Sequence, residues 1–92
     1  MLRTVEIHIK GKVQGVWFRS SAKAQADALD IQGSVRNMRD GTVNILASGD
    51  AHRIQEFIDW CWKGPELARV DEVAVSDVTD KQILPGFEIR RP

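Results

Sequence analysis

Residues 3 to 10 alternate strictly, with Val5, Ile7 and Ile9 on one side and Glu6, His8 and Lys10 on the other. This is the period of two required by a strand with one buried face. From residue 18 to 29 the period changes, and Phe18, Ala22, Ala26 and Leu29 recur at helical spacing among strong helix formers, with Ser20 and Ser21 suited to the first turn. Residues 33 to 38 and 42 to 48 return to strand patterning around Arg39, Asp40 and Gly41, where the Asp-Gly pair is expected to supply the positive dihedral angles of a tight hairpin. Val43, Ile45 and Ala47 mark the buried side of its second arm. Gly49 and Asp50 lead into a second helix, with Asp50 a candidate N-cap, Ile54, Phe57, Ile58 and Cys61 an apolar stripe, and Gly64-Pro65 a terminator. A fourth strand lies within residues 70 to 78, where Val73 and Val75 alternate with Ala74 and Ser76, and Pro85-Gly86 precedes a short last strand carrying Phe87 and Ile89.

The order βαββαβ, followed by a short extra strand, closes most simply as two interleaved βαβ units. They form an α+β sandwich whose antiparallel sheet, in strand order 4-1-3-2, carries both helices on one face. Right-handed crossovers favour the same solution. With the first strand running up, the first helix down and the second strand up, the loop after strand one, the start of helix one and the turn after strand two share one end of the sheet. Residues near Arg19 and near Asn37 are predicted to converge there.

Composition narrows the function. The 92 residues suit one domain spanning 1–92, and 42% hydrophobic with 28% charged residues is ordinary for a globular chain. Thirteen basic and thirteen acidic residues cancel, so there is no overall field to attract DNA or RNA, and no nucleic acid partner is expected. A small anionic ligand needs only local charge and stays in play. No apolar run is long enough to span a bilayer, and the amino terminus lacks a signal-peptide pattern, so the expectation is a cytoplasmic protein with no membrane partner. The lone Cys61 leaves no intramolecular disulfide and no cysteine zinc site, and its place on an apolar helix face reads as packing. His8 and His52 have no ligand spacing, and there is no carboxylate set for magnesium; neither metal nor cofactor is expected. With no evident exposed apolar stripe, a monomer is the default.

Candidate chemistry lies between the first strand and the first helix, in the run Gly11 Lys12 Val13 Gln14 Gly15 Val16 Trp17 Phe18 Arg19. The first N–H groups of a helix lack intrahelical partners and carry the positive end of its dipole. Gly11 and Gly15 are expected to let the backbone approach a ligand, and Arg19 adds a planar fork of donors that matches phosphate oxygens two at a time. The run is neither a Walker loop nor a dinucleotide fingerprint. The same residues also suit a tight strand-to-helix connection with Arg19 solvated, and local pattern alone leaves both readings open. Asn37 is likewise either a turn-stabilising side chain or, given the predicted convergence, a site residue.

Residues 11 to 19 resemble the signature of the acylphosphatase family, Gly, any, Val, Gln, Gly, Val, any, Phe, Arg, at every fixed position. A second signature of that family, Gly, any, Val, any, Asn, any, any, Asp, Gly, any, Val, is met by Gly33, Val35, Asn37, Asp40, Gly41 and Val43. Gly49, Phe57, Trp60, Gly64-Pro65 and Ala68-Arg69-Val70 extend the likeness over essentially the whole chain. The resemblance implies a ferredoxin-like fold and an enzyme, an acylphosphatase that hydrolyses the carboxyl-phosphate bond of small acyl phosphates. It implies that Arg19 binds the phosphate, that Asn37 orients the attacking water, and that Gln14, Gly15, Val16, Trp17 and Phe18 contribute loop amides. Inorganic phosphate or sulfate would then sit in the same place as a product-like anion.

The chain departs from the family pattern at Asp30, where Gly often closes the first helix, and at Ser34, where an aromatic residue is common. The first change is expected to bear on stability and the second on packing under the site. Two other functions compete. An RNA recognition module shares the βαββαβ order, but the central strands here lack the aromatic residues on which bases stack. A non-catalytic anion sensor or interaction domain is also compatible with the fold, although a chain of this length reads as a stand-alone enzyme. Trp17 either contacts the acyl part of a substrate or caps the core beneath the loop, while Trp60 and Trp62 read as helix packing or surface aromatics.

Overall fold

The strict alternation of the first strand carries through into β1 (Leu2–Lys12), where Val5, Ile7 and Ile9 are wholly buried. The computed structural model describes residues 1–79 and 82–91. Its remaining elements are α1 (Phe18–Ala28), β2 (Gln32–Asn37), β3 (Val43–Asp50), α2 (Ala51–Lys63), β4 (Arg69–Asp77) and β5 (Phe87–Arg90). β1 is the hub of the sheet. It pairs antiparallel with β3, setting Ile7 opposite Ile45 and Ile9 opposite Val43, and on its other side pairs antiparallel with β4, setting Ile9 opposite Val73. Each fully buried aliphatic side chain in these ladders contributes roughly 1.5–3 kcal/mol, and together they make the floor of the core.

The order is β4-β1-β3-β2-β5, so the predicted 4-1-3-2 core is extended at one edge. That extension corrects one expectation. β5 runs parallel to β2, with Val35 opposite Ile89, and the sheet is therefore mixed rather than purely antiparallel. Lys23 on α1 ties this edge down, its Nζ donating to the Phe87 carbonyl at 2.9 Å and to Asp27 Oδ2 at 3.0 Å. Among the described residues no helix is long and apolar enough to cross a membrane.

The helices close the core from one side. Ala22 and Ala26 of α1 and Ile54, Phe57 and Cys61 of α2 are buried against the sheet. Burial pushes the Cys61 thiol far above its usual range, which makes it a packing group. Trp60 packs on Phe18 and Phe57, with ring centroids 5.3 Å and 6.1 Å away, whereas Trp62 is 52% exposed. Ser34 shares with Arg36 the sheet face opposite Val35 and Asn37, because successive strand residues point to opposite sides. The departure at Ser34 thus falls on the uncovered face, not under the site as expected from the sequence.

Asp30, the other departure, takes a left-handed conformation at the turn closing α1. Asp30 has φ +55°, and α1 ends with Asp30 N–H donating to the Asp27 carbonyl and Ile31 N–H to the Ala26 carbonyl, the paired bonds of a Schellman ending. An L-residue pays for the left-handed conformation that glycine adopts freely. Asp30→Gly is expected to stabilise the fold by about 0.5–1 kcal/mol, read as a rise of a few degrees in the thermal midpoint with turnover unchanged; a fall in the midpoint would contradict this account of the cap.

Candidate active site

The loop between β1 and α1 is anchored at two apolar residues. Val13 and Val16 are buried, which leaves Gln14 and Gly15 between them to face other partners. Gly15 has φ +74°, and a Cβ added there would meet nothing within 4 Å; its bare backbone borders open space. Gly11 does something different. It lies inside β1 at a register shift against β4, where a Cβ would collide with the Arg69 carbonyl oxygen. The first glycine of the run therefore belongs to sheet pairing, and only the second faces a potential ligand, which corrects the expectation that both do.

The two helix starts are built in opposite ways. At α2, Asp50 caps the helix, its Oδ1 accepting from the His52 N–H at 3.0 Å, and that bond holds the carboxyl below its ordinary range. At α1 the N-cap position is Trp17, whose side chain makes no capping bond, and the first turn holds no acidic residue. Its N–H groups and dipole are left uncompensated. Trp17 itself sits in the left-handed region at φ 67° and ψ 19°, a conformation costing roughly 1–2 kcal/mol for an L-residue, and is 73% exposed. It does not cap the core. That part is taken by the next residue, Phe18, buried against Trp60, which fixes the first turn and the root of Arg19.

The hairpin brings the second half of the site. Met38 N–H donates to the Thr42 carbonyl, and Gly41 has φ +92°. Asp40 is not in a positive-φ conformation, contrary to the expectation for the Asp-Gly pair. Its carboxylate instead accepts from the Thr42 hydroxyl at 2.6 Å and the Thr42 N–H at 3.1 Å, bonds that lower its pKa and brace the turn. Gln14 reaches across from the loop, and its Nε2 donates to the Met38 carbonyl at 2.7 Å and the Thr42 carbonyl at 2.8 Å. This places Asn37, the last residue of β2, beside the start of α1. Its Oδ1 is buried and has no hydrogen-bond partner among the described residues, a costly state for a carbonyl oxygen unless it serves a ligand or water.

These pieces border one cavity of about 600 Å³, lined by Val13, Gly15, Trp17, Phe18, Arg19, Ser20 and Asn37 on one side. Ile89 and Arg91 complete it. Of the residues singled out in the loop, Gly15, Trp17, Phe18 and Arg19 meet Asn37 here, while Gln14 and Val16 are not on the wall; Gln14 clamps the hairpin and Val16 packs in the core. Ile89 and Arg91 arrive because β5 is parallel to β2 and alternate residues continue along the face of buried Phe87. Arg91 gives the cavity a second guanidinium that sequence reasoning did not find, since only the edge pairing brings it there. The wall brings together two arginines, the start of α1 and Asn37, whose unpartnered Oδ1 is itself buried, and none of its side chains can accept a proton at neutral pH. Among the described residues no set of three or more His, Cys, Asp or Glu side chains is grouped to hold a metal ion.

Similarity to known proteins points to one family. The acylphosphatase family model matches residues 5–89. An acylphosphatase of Shewanella amazonensis is 46% identical over 96% of this chain and 97% of its own. Among solved structures, an acylphosphatase from Coxiella burnetii superposes with a TM-score of 0.91 at 31% identity, covering 97% of this chain and 93% of that one. The acylphosphatase from Bacillus subtilis also gives 0.91, at 32% identity over 98% of this chain and 99% of its own.

The Gln14 clamp generates a test. Gln14→Ala removes two hydrogen bonds, while the Met38 and Thr42 carbonyls each keep one backbone donor, from Gly41 and Met38; at about 0.5–1.5 kcal/mol per bond, a loss of about 1–3 kcal/mol is expected in chemical denaturation. Weaker inhibition by inorganic phosphate should accompany it as the loop loses its tie to the hairpin. Unchanged stability and inhibition would refute the clamp.

Proposed function

The chain belongs to the acylphosphatase family, and from that premise we propose that it hydrolyses the carboxyl-phosphate bond of small acyl phosphates to carboxylate and inorganic phosphate by positioning and electrostatics alone. The observation that carries the mechanism is the buried, unpartnered Oδ1 of Asn37, on the wall of the same cavity as Arg19 and the uncapped start of α1.

An acyl phosphate is a mixed anhydride whose carboxylate departs as a weak base, so no strong general acid is needed. In phosphoryl transfer, charge spreads over the equatorial oxygens of the transition state. Arg19 faces those oxygens with its planar fork, and the amides of Gly15, Trp17, Phe18 and Arg19 supply fixed dipoles at a helix start. Gln14 and Val16 hold the loop that presents them. Asn37 accepts one hydrogen bond from water and turns a lone pair of that water toward phosphorus. The new bond joins water oxygen to phosphorus, the bond from phosphorus to the carboxylate oxygen breaks with its electrons going to the carboxylate, and the water proton passes to a phosphate oxygen, because the carboxamide is not basic.

This reading also takes inorganic phosphate or sulfate as competing anions in the same cradle. A single buried thiol fits it to a reducing, cytoplasmic setting, where it acts as a monomer.

Two measurements test the mechanism. Asn37→Ala is expected to cut turnover of benzoyl phosphate about a hundredfold or more with little change in inhibition by inorganic phosphate, whereas Arg19→Ala weakens both and Arg19→Lys remains severely impaired because an ammonium has no bidentate fork. Equal losses of phosphate affinity in the Asn37 and Arg19 variants would contradict the division of roles. Activity is also expected to survive exhaustive chelation; loss that a divalent ion restores would overturn the metal-free mechanism.

A further inference from the structure

The phosphate end of the cavity accounts for Gly15, Phe18, Arg19 and Asn37, but not for the indole of Trp17. Trp17 occupies a helix N-cap without capping, lies in a backbone conformation unfavourable to its residue type, and exposes 73% of its surface. Burial, hydrogen bonding and local conformation would each be better served by another residue there. Its side chain nonetheless lines the cavity, and so does Ile89, an aliphatic residue 42% exposed at the opposite edge. The two come from segments far apart in the chain, the strand-to-helix loop and the parallel edge strand, and give one cavity an apolar portion beside its polar one.

Resting on the proposed hydrolysis, we propose that Trp17 is the specificity-determining residue of this site, a flat platform for the acyl group, with Ile89 as its apolar wall, and that the pair selects aromatic over small aliphatic acyl phosphates. The geometry of the substrate calls for such a surface. The phosphoryl group is held by groups that are the same for every substrate, so only the acyl side can carry discrimination, and it extends away from the helix start toward the mouth of the cavity. An indole face there stacks on a planar acyl group, a contact unavailable to an acetyl group.

The test uses the ratio of kcat/KM for benzoyl phosphate to that for acetyl phosphate, compared between variants so that the intrinsic reactivities of the two compounds cancel. Trp17→Gly removes the indole while suiting the positive φ, and the ratio is expected to fall about three- to tenfold, mainly through a higher KM for benzoyl phosphate. Trp17→Phe is expected to retain most of the ratio, and Trp62→Ala, an exposed tryptophan outside the cavity, to leave it at the wild-type value. A second readout is free of differences in leaving-group reactivity: phenylphosphonate should lose its advantage over methylphosphonate as a competitive inhibitor in Trp17→Gly. If Trp17→Gly slows both substrates equally, or leaves the inhibitor ratio unchanged, the platform is refuted and Trp17 acts only through its backbone. Wild-type protein that hydrolyses neither compound would instead overturn the proposed function, and the platform with it.

Discussion

One side-chain amide holds the two halves of the active end together. Gln14 Nε2 binds the carbonyl oxygens of Met38 and Thr42 at once, and in doing so fixes the strand-to-helix loop against the hairpin. The loop carries the backbone donors and the root of Arg19; the hairpin follows directly on Asn37. Neither half is complete chemically, since the first supplies charge stabilisation without an acceptor for water and the second an acceptor without charge. Preorganisation of this kind depends on distances held to fractions of an ångström, and a neutral clamp of two hydrogen bonds holds them without adding a charge that would compete with the ligand.

Against that clamp stand several features that a fold selected for stability alone would not keep. The start of α1 is uncapped where the start of α2 is capped by Asp50, Trp17 has a left-handed backbone, and the Asn37 oxygen is buried without a partner. All three lie on a single cavity. Their combined cost is borne by the β1-centred sheet and by Phe18, whose ring is locked beneath the loop by Trp60. Strain concentrated at one place and offset by a well-packed frame is the arrangement expected of a site that must present unsatisfied groups to a ligand.

Much of this was legible in the residues themselves. The alternation of Val5, Ile7 and Ile9 and the stripe of Ile54, Phe57, Ile58 and Cys61 are strong periodic signals, and topology then brought Arg19 and Asn37 to one end of the sheet. The misreadings share a cause. Gly11 looks like a loop residue because its constraint comes from the Arg69 carbonyl, far away in sequence. Asp40 suggests a two-residue turn because local preference cannot reveal that its carboxylate braces Thr42. Ser34 is the exception, since alternation with Val35 already puts it on the opposite sheet face. Ile89 and Arg91 join the cavity only through the parallel pairing of a four-residue strand, too short for its own periodicity to declare an edge or a direction.

That pairing has a temporal consequence. β2 and β5 are separated by the whole of β3, α2 and β4, so the contact between Val35 and Ile89 is long-range, although the β1–β4 ladder spans still more of the chain. The clamp, the hairpin and the open helix start all precede the segment carrying Ile89 in the chain and leave the ribosome before it. The side of the pocket that Ile89 supplies therefore reaches it last, by a non-local docking step.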